Sequence, residues 1–385
     1  MLERLFHGSS FLILASVALI ATSTIGQTTE FHGQASGWVV GSSQVSTIAD
    51  GGLRYLPDFI AGQNVADDVS ANVELSLNTI GSAMIATNEH PSFDDNLKLY
   101  RAWFRIGTDR LETRIGLQKI SFGPAMLFRP LMWFDRIDPR DPLQLTDGVY
   151  GLLSRYTFQD NTNIWLWGLY GNNDTKGWEL APTEKGTVEF GGRMQSSLWD
   201  GELGVTYHHR RADIQQMTAL IPSTTYSNSP EDRVGLDGKW DVGIGVWFEA
   251  SVSRFDIDLP QLSVQRLWTV GADYTIGVGN GLYVAVEHFR MERPTEIFAS
   301  STGTGFSGLS MSYPIGILDQ VSGIIYRDWN NERWYRIVTW QRKYDNWSFY
   351  LMGFWDPETI QIYPGQGGTN SFAGKGVQLM AVFNH

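Results

Sequence analysis

The ten-residue stretch IGVWFEASVS (Ile244–Ser253) shows the pattern that decides the fold. Its apolar side chains recur at every second position, whereas Glu249, Ser251 and Ser253 lie between them. Side chains of a β-strand alternate between the two faces of its sheet, so one face of this strand meets an apolar medium and the other meets water. The same alternation recurs in three further segments: Thr187–Gln195, Asp232–Trp240 and Arg266–Ile276. The sequence therefore predicts a protein built from many strands.

The lengths of the connections separate a transmembrane barrel from a soluble sandwich. Short connections such as Gly107–Arg110 and Leu198–Glu202 alternate along the chain with long ones such as Asn172–Gly186 and Pro357–Ser371. Transmembrane barrels have short turns at one rim and longer loops at the other, whereas sandwiches follow no such rule. The predicted fold class is therefore all-β, a transmembrane antiparallel β-barrel of about 18 strands, with about 16 as the alternative.

The composition agrees with this architecture and excludes several other classes. The chain of 385 residues has 41 glycines, 13% aromatic residues and 18% charged residues, a mixture that suits strands, tight turns and aromatic girdles. It contains no cysteine, which excludes disulfides and thiolate metal or redox sites. Its formal net charge of -12 argues against nucleic acid as a partner. We expect no cofactor and no metal site.

The N-terminal segment has the pattern of a secretory signal peptide. Arg4 and His7 precede the apolar run FLILASVALIA, which small and polar residues follow. The run is short for a membrane-spanning helix, which leaves an N-terminal anchor as the weaker alternative. We therefore expect residues 1–27 to form a signal peptide and residues 28–385 to form a single barrel domain outside the cytoplasm.

Two segments resemble strands of known porins. The final segment, GVQLMAVFNH (Gly376–His385), resembles the last strand of Gram-negative outer-membrane porins, which alternates in the same way and ends near an aromatic residue, here Phe383. The segment LETRIGLQKISFGP (Leu111–Pro124) is similar to a strand of phosphate-selective and alginate-export-type porins. The positions that carry this second resemblance are Gly116, Gln118 and Gly123.

The porin resemblance carries expectations about place, partners and function. It implies a location in the bacterial outer membrane, in contact with outer-membrane lipid and lipopolysaccharide. It implies a channel for the passive diffusion of small hydrophilic solutes, and it leaves a homotrimer open as the assembly.

The segment Ser121–Gly148 is the third external loop when strands are counted from the N-terminus, and in porins this loop folds into the lumen and narrows it. Bulky apolar residues between Ala125 and Phe134 need burial, and four prolines stiffen the path. Its arginines alternate with aspartates, which would create a transverse field in a narrow pore. We therefore predict a constriction loop, with an external lid as the alternative.

Charged side chains with inward strand parity complete the predicted pore lining, because an arginine or lysine facing hydrocarbon costs about 2–4 kcal/mol near the midplane. Arg101, Arg105 and Arg114 lie on adjacent strands and could form a ladder that attracts anions. Acidic external loops instead favour cations, so the solute charge stays open, and salt bridges that only stiffen the wall are an equally good interpretation. The predicted pore-lining and constriction residues are Arg101, Arg105, Glu112, Arg114, Gln118, Arg129, Asp135, Arg136, Asp138, Arg140, Asp141, Glu189, Arg193, Arg233 and Asp237.

Two other classes of function stay open as alternatives. Some outer-membrane barrels are lipases or proteases, and the candidate histidines here are His208, His209 and His288, although none lies in a recognisable nucleophile motif. A barrel of this size could also form a sheath around a partner protein, but an inward loop would obstruct it. We therefore predict a channel and not an enzyme.

Overall fold

The computed structural model describes residues 28–43, 47–86, 90–218, 227–357 and 372–385. The predicted signal peptide, residues 1–27, lies outside these described residues and stays a prediction. Within the described ranges, no helix is long and apolar enough to span a membrane, a finding that says nothing about a β-barrel.

The described residues form one closed sheet of 18 antiparallel strands. Each strand pairs with its neighbours in chain order, and the last strand pairs with the first. This confirms the predicted all-β antiparallel barrel and excludes the 16-stranded alternative. The strands are β1 (Thr28–Ser42), β2 (Thr47–Ala66), β3 (Val69–Ala86), β4 (Ser92–Gly107), β5 (Leu111–Gln118), β6 (Val149–Thr157), β7 (Asn163–Tyr170), β8 (Val188–Leu198), β9 (Gly201–Asp213), β10 (Asn228–Asp241), β11 (Gly245–Phe255), β12 (Val264–Ile276), β13 (Leu282–Glu292), β14 (Gly303–Pro314), β15 (Asp319–Asp328), β16 (Arg333–Lys343), β17 (Trp347–Trp355) and β18 (Lys375–Asn384). Within the described ranges, two single-turn helices, α1 (Gln215–Thr218) and α2 (Pro260–Ser263), lie in connections.

The connections alternate in length as predicted. Short turns such as residues 108–110 and 199–200 join strands at one end of the barrel, which we call the short-turn rim. The other end carries the long connections, including residues 119–148 and 171–187, and we call it the long-loop rim. Two connections at the long-loop rim have only four residues each, residues 43–46 between β1 and β2 and residues 329–332 between β15 and β16, which the sequence pattern did not distinguish.

The two faces of the sheet differ as the alternation predicts. On β8, Glu189 and Arg193 are buried inside the barrel, whereas Phe190 and Met194 are about half exposed on the outer face. A closed barrel leaves no unpaired edge, and its apolar outer belt can contact hydrocarbon. The barrel therefore meets both requirements that a membrane places on a β-protein.

One strand departs from simple alternation. Ser76 of β3 pairs with Arg101 of β4, and Leu77 pairs with Leu99, so Tyr100 is an extra residue in a β-bulge. Simple parity places Tyr100 on the outer face. The bulge instead turns Tyr100 toward an internal cavity, where its ring centre lies 4.0 Å from the Arg101 guanidinium carbon. The expected outward position of Tyr100 is therefore wrong.

The hydrophobic core is formed where connections from the long-loop rim pack against the inner wall. Leu127, Phe128 and Met132 contact inward-facing aromatic residues of β13–β16, and Trp178 joins the same cluster. Trp178 belongs to residues 171–187, the connection between β7 and β8, which we call the fourth connection. The sequence interpretation treated the fourth connection as an ordinary external loop and did not anticipate its burial.

Candidate functional site

The third loop (Ser121–Gly148) joins β5 to β6 and divides into two limbs with different surroundings. Most side chains of its first limb, residues 121–135, are buried, whereas most side chains of its second limb, residues 136–147, keep some exposure. The first limb contacts the wall, and the second limb borders two cavities.

Glu287 on β13 holds the tip of the first limb. Its carboxylate accepts backbone N–H groups of Met126, Leu127 and Phe128 at 2.6, 2.9 and 2.7 Å. It also accepts the indole N–H of Trp247 at 3.0 Å. Hydrogen bonds from backbone donors to a charged acceptor are stronger than neutral ones, so a single side chain fixes three consecutive loop residues.

Glu249 on β11 makes a second attachment of the same kind. It accepts the N–H groups of Ala125 at 2.7 Å and Leu131 at 3.1 Å. Gly123 adopts φ +92°, and a Cβ at that position would collide with the Glu249 carboxylate. Glycine is therefore required there both for its backbone conformation and for the close approach of the carboxylate.

Aromatic packing completes the attachment of the first limb. Phe128 stacks on Phe289 with ring centres 5.4 Å apart and lies 5.1 Å from Tyr326. Trp178 of the fourth connection stacks on the same Phe289 at 4.8 Å, and its indole N–H donates to the Arg129 carbonyl at 2.9 Å. The fourth connection thus clamps the first limb against the wall.

The second limb is tied to the wall by polar contacts. Arg140 pairs with Asp138 at 2.7 Å and with Asp356, just beyond β17, at 2.9 Å. Burial raises the pKa of Asp356 to about 6. At the other end of the limb, the Thr146 carbonyl accepts a hydrogen bond from Arg101 at 3.0 Å.

A cavity of about 480 Å³ lies between the second limb, the β2–β4 wall and the fourth connection. Lys98 and Asp147 pair across its edge at 2.6 Å. Burial lowers the pKa of Lys176 in the fourth connection, opposite the second limb. Arg54 on β2 has no ion-pair partner among the residues that the structure describes. The charged residues around this cavity are Arg54, Lys98, Arg136 and Lys176 together with Asp135, Asp147 and Asp174.

A second cavity, of about 210 Å³, lies between the second limb and β15–β17. Burial raises the pKa of Asp141, which borders this cavity. The other polar side chains that face it, apart from Arg140, are neutral: Gln144, Ser322, Thr339, Gln341 and Tyr350. The second cavity therefore has fewer charged side chains in its lining than the first.

The predicted arginine ladder is only partly neutralised. Arg105 and Arg114 share one carboxylate, that of Glu112, at 2.8 and 3.0 Å. Arg101 donates to the backbone carbonyls of Tyr100 and Thr146 and pairs with no carboxylate among the described residues. The structure thus brings these three arginines to one wall with a single carboxylate between them.

Two further arginines on this wall were missed by the sequence analysis. Arg155 of β6 lies 3.9 Å above the ring of Trp165, and Arg54 lies 5.6 Å from the ring of Trp38. Both have the inward parity of their strands. Applying the alternation rule to β2 and β6 would have found them.

Most of the other predicted site residues lie in buried polar contacts. Arg129 pairs with Asp135 at 3.0 Å and Arg193 pairs with Asp237 at 2.5 Å. The remaining members are Gln118, whose amide donates to backbone carbonyls, Glu189, which contacts His208, and Arg233, which pairs with glutamates. These contacts fit the wall-stiffening interpretation, and contact of these residues with solute stays a prediction.

A buried network that the sequence analysis did not identify joins the fourth connection to β9 and β10. Arg210 pairs with Glu231 at 2.5 Å and with Glu179 at 3.2 Å. Arg233 pairs with the same two carboxylates, each at 2.9 Å. The sequence signal was present, because Arg210 and Glu231 share the inward parity of His208 and Arg233.

The three candidate histidines lie in separate environments. His208 is fully buried and accepts the indole N–H of Trp167 at 3.1 Å. His209 contacts Asp232 at 2.8 Å on the outer face, and Nδ1 of His288 lies 3.0 Å from the Ser307 hydroxyl. Across the described ranges, no group of three or more histidine and carboxylate side chains is placed to hold a metal ion.

Comparison with known proteins adds evidence about the fold. No family model and no curated protein matches the chain. Among solved structures, it is similar to OccAB4 of Acinetobacter baumannii at 9% identity, with 93% of this chain and 98% of that chain covered and a TM-score of 0.58. OccD3 (OpdP) of Pseudomonas aeruginosa matches at 8% identity, with 92% and 91% covered and a TM-score of 0.58. The trimer form of OmpT, an outer-membrane protein of Vibrio cholerae, matches at 10% identity, with 94% and 100% covered and a TM-score of 0.50.

Identities this low establish likeness of fold alone. That likeness covers nearly the whole chain and agrees with the closed sheet, the apolar outer face and the two unequal rims. The chain therefore has the fold of the Gram-negative outer-membrane β-barrel porins, as the resemblance of its strands predicts.

Proposed function

We propose that this chain is a passive channel of the outer membrane for small hydrophilic solutes, with the third loop as its constriction. The main support is the position of the second limb. It borders a cavity with many charged side chains on one side and a smaller polar cavity on the other, while the first limb is held by Glu249 and Glu287. A loop that is packed against the wall along one limb and bordered by cavities along the other is suited to narrowing a water-filled passage.

The absence of cysteine from the sequence allows a direct test of constriction against an external lid. We expect a Gln144→Cys channel in a planar bilayer to lose conductance when a membrane-impermeant thiol reagent is added. A Glu296→Cys channel, modified in the exposed connection between β13 and β14, serves as the matched control and should keep its conductance. Modification of residue 144 without a change in current would favour the lid.

We further propose a preference for anions. Arg54, Arg101 and Arg155 have no carboxylate partner among the described residues, and Arg105 and Arg114 share one. Unpaired guanidinium groups along a narrow passage attract carboxylate and phosphate groups. The reversal potential in a potassium chloride gradient should therefore report anion selectivity and move toward zero in an Arg54→Gln/Arg155→Gln variant. An Arg211→Gln variant, altered in an exposed rim pair with Glu184, should leave it unchanged.

A homotrimer is the assembly we propose. The similar Vibrio cholerae protein is described in a trimer form. On this chain, Gly41 and Gly81 face outward, and a Cβ added at either position would meet nothing within 4 Å. Their lack of side chains leaves space beside the exposed Val39 and Leu53, where a neighbouring barrel could approach. Light scattering of the purified protein in detergent should give the mass of three chains, and a mass of one chain would contradict the proposal.

One contact keeps an enzyme as the second candidate. Ser307 and His288 lie within hydrogen-bond distance on the outer face, where lipid could reach them, and the Trp329 indole also donates to Ser307 at 2.9 Å. No carboxylate orients His288 within the described residues, so the pair lacks a third member. Release of fatty acid from phospholipid vesicles that is lost in Ser307→Ala would support an enzyme, and equal background release by both proteins would support the channel alone.

A further inference from the structure

The outer face of the barrel carries a group of arginines at the long-loop rim. On the outer face near the long-loop rim, Arg290 of β13, Arg327 of β15 and Arg336 of β16 occupy positions where apolar residues would be expected. Arg327 pairs across the sheet with Trp334, and Trp329 follows β15 directly. We call these five residues, Arg290, Arg327, Arg336, Trp329 and Trp334, the rim cluster.

The alternation on β16 shows that the rim cluster faces outward. Tyr335 and Ile337 are buried inside the barrel, whereas Trp334, Arg336 and Val338 are exposed. Trp334 and Trp329 are 45% and 56% exposed. Tryptophan is typical of the boundary between hydrocarbon and headgroups, and the apolar Val338 is the next outward residue toward the middle of the barrel. The rim cluster therefore lies at headgroup depth.

The positive charge of the rim cluster is largely uncompensated by the chain itself. Arg290 pairs with Glu292 at 2.7 Å, whereas among the described residues Arg327 donates only to the backbone carbonyl of Glu332. The Arg336 guanidinium contacts no carboxylate in the part of the chain that the structure describes. This is unusual in a chain of net charge -12, and arginine facing lipid is costly unless an anion meets it.

The aromatic rings orient the two unpaired arginines. The Arg327 guanidinium lies 5.1 Å from the ring of Trp334 and 5.6 Å from that of Trp329, and Arg336 lies 5.7 Å from Trp334. Stacking uses the face of a guanidinium and leaves N–H groups at its edge, which can donate bidentately to phosphate oxygens.

We propose that the rim cluster binds the phosphorylated headgroup of the outer-leaflet glycolipid. Arg327 and Arg336 donate to its phosphate oxygens, and the exposed tryptophans pack against its sugar rings. This inference rests on the outer-membrane placement of the barrel and is independent of solute passage. A second copy of the chain is the other possible occupant of the same surface, and the experiment distinguishes it.

Native mass spectrometry of the full chain in detergent with diphosphoryl lipid A tests the proposal. An Arg327→Gln/Arg336→Gln variant should bind the lipid about thirtyfold more weakly, since each arginine near an anionic headgroup contributes on the order of a fivefold change. Arg342→Gln is the matched control, because Arg342 faces outward on the same strand at the short-turn rim, and its binding should equal that of the unchanged chain. The unchanged chain should bind lipid A that lacks phosphates only weakly. This affinity should equal the affinity of the double variant for diphosphoryl lipid A.

Two results would overturn the proposal. One is equal binding of lipid A with and without its phosphates, a result that needs no variant to fold. The other is loss of the oligomer in the double variant with lipid binding unchanged, which would assign the surface to a contact between chains. Conductance measured on the same samples tests the proposed channel function separately, because the rim cluster lies outside the lumen.

Discussion

The two limbs of the third loop belong to one connection yet follow different physical rules. The first limb is apolar, buried and attached through its backbone to Glu249 and Glu287, so its contacts resemble a protein core. The second limb is polar, partly exposed and attached through side-chain ion pairs. In the proposed channel, the first limb therefore holds the loop in place and the second limb contacts solute. Substitutions in the first limb or its anchors should change stability, and substitutions in the second limb should change permeation.

The largest effect should follow loss of the Glu287 anchor. Glu287→Ala leaves three backbone N–H groups and one indole N–H without their acceptor in a buried place, and we expect the free energy of unfolding to fall by about 4 kcal/mol. Urea unfolding of the protein in detergent measures this change. Glu287→Gln, which keeps one acceptor oxygen, is the control and should lose less. Unchanged stability in Glu287→Ala would mean that the first limb is not anchored in this way.

A pH-dependent effect of intermediate size should come from Asp356. Its pKa is about 6, above the value of an aspartate in an unfolded chain, so between about pH 4 and pH 6 the folded chain holds a proton that the unfolded chain releases. The contribution of Asp356 to stability is therefore complete below this window and is lost as pH rises through it, by at most about 3 kcal/mol.

Asp356→Asn should flatten that part of the curve. The measurement is the urea unfolding free energy of the two proteins at a series of pH values. Parallel curves for Asp356→Asn and the unchanged chain would show that the pKa of Asp356 is not raised.

The smallest effect on stability should come from the second limb. Asp147 and Lys98 form an exposed pair, and such pairs contribute about 0–1 kcal/mol, so Asp147→Asn should leave unfolding nearly unchanged. The substitution removes one negative charge from the cavity of about 480 Å³, however, and the reversal potential should therefore shift in the direction of greater anion selectivity. A large loss of stability with no change in selectivity would reverse the proposed division between the limbs.

The fold could be predicted from the sequence because a barrel is specified by local rules. Alternation along segments such as Ile244–Ser253 fixes the two faces, and unequal connections fix the two rims. The exception, Tyr100, shows the limit of the rule. A β-bulge adds one residue to a strand and reverses its parity, and the pairing of Ser76 with Arg101 that defines the bulge depends on a neighbouring strand.

The candidate site was predictable only as a set of inward charges. Parity placed Arg193 and Asp237 inside the barrel, but their burial depends on how the connections fold over them. The ion pair between Arg140 and Asp356 joins residues far apart in the chain, and no local pattern encodes it. The sequence analysis treated the fourth connection as an external loop because the residues at its ends are polar. The burial of Trp178 within this connection depends on its contact with Phe289 on β13, which no local pattern indicates.

The anchors of the third loop also constrain the order in which the barrel can assemble. Met126, Leu127 and Phe128 bond to a carboxylate about 160 positions later in the chain. The first limb therefore cannot dock until β13 has joined the sheet, and contacts of such long range form slowly. If the third loop is the constriction proposed above, the narrow passage is therefore among the last features to form. Intermediates trapped before docking should be leakier than the finished protein.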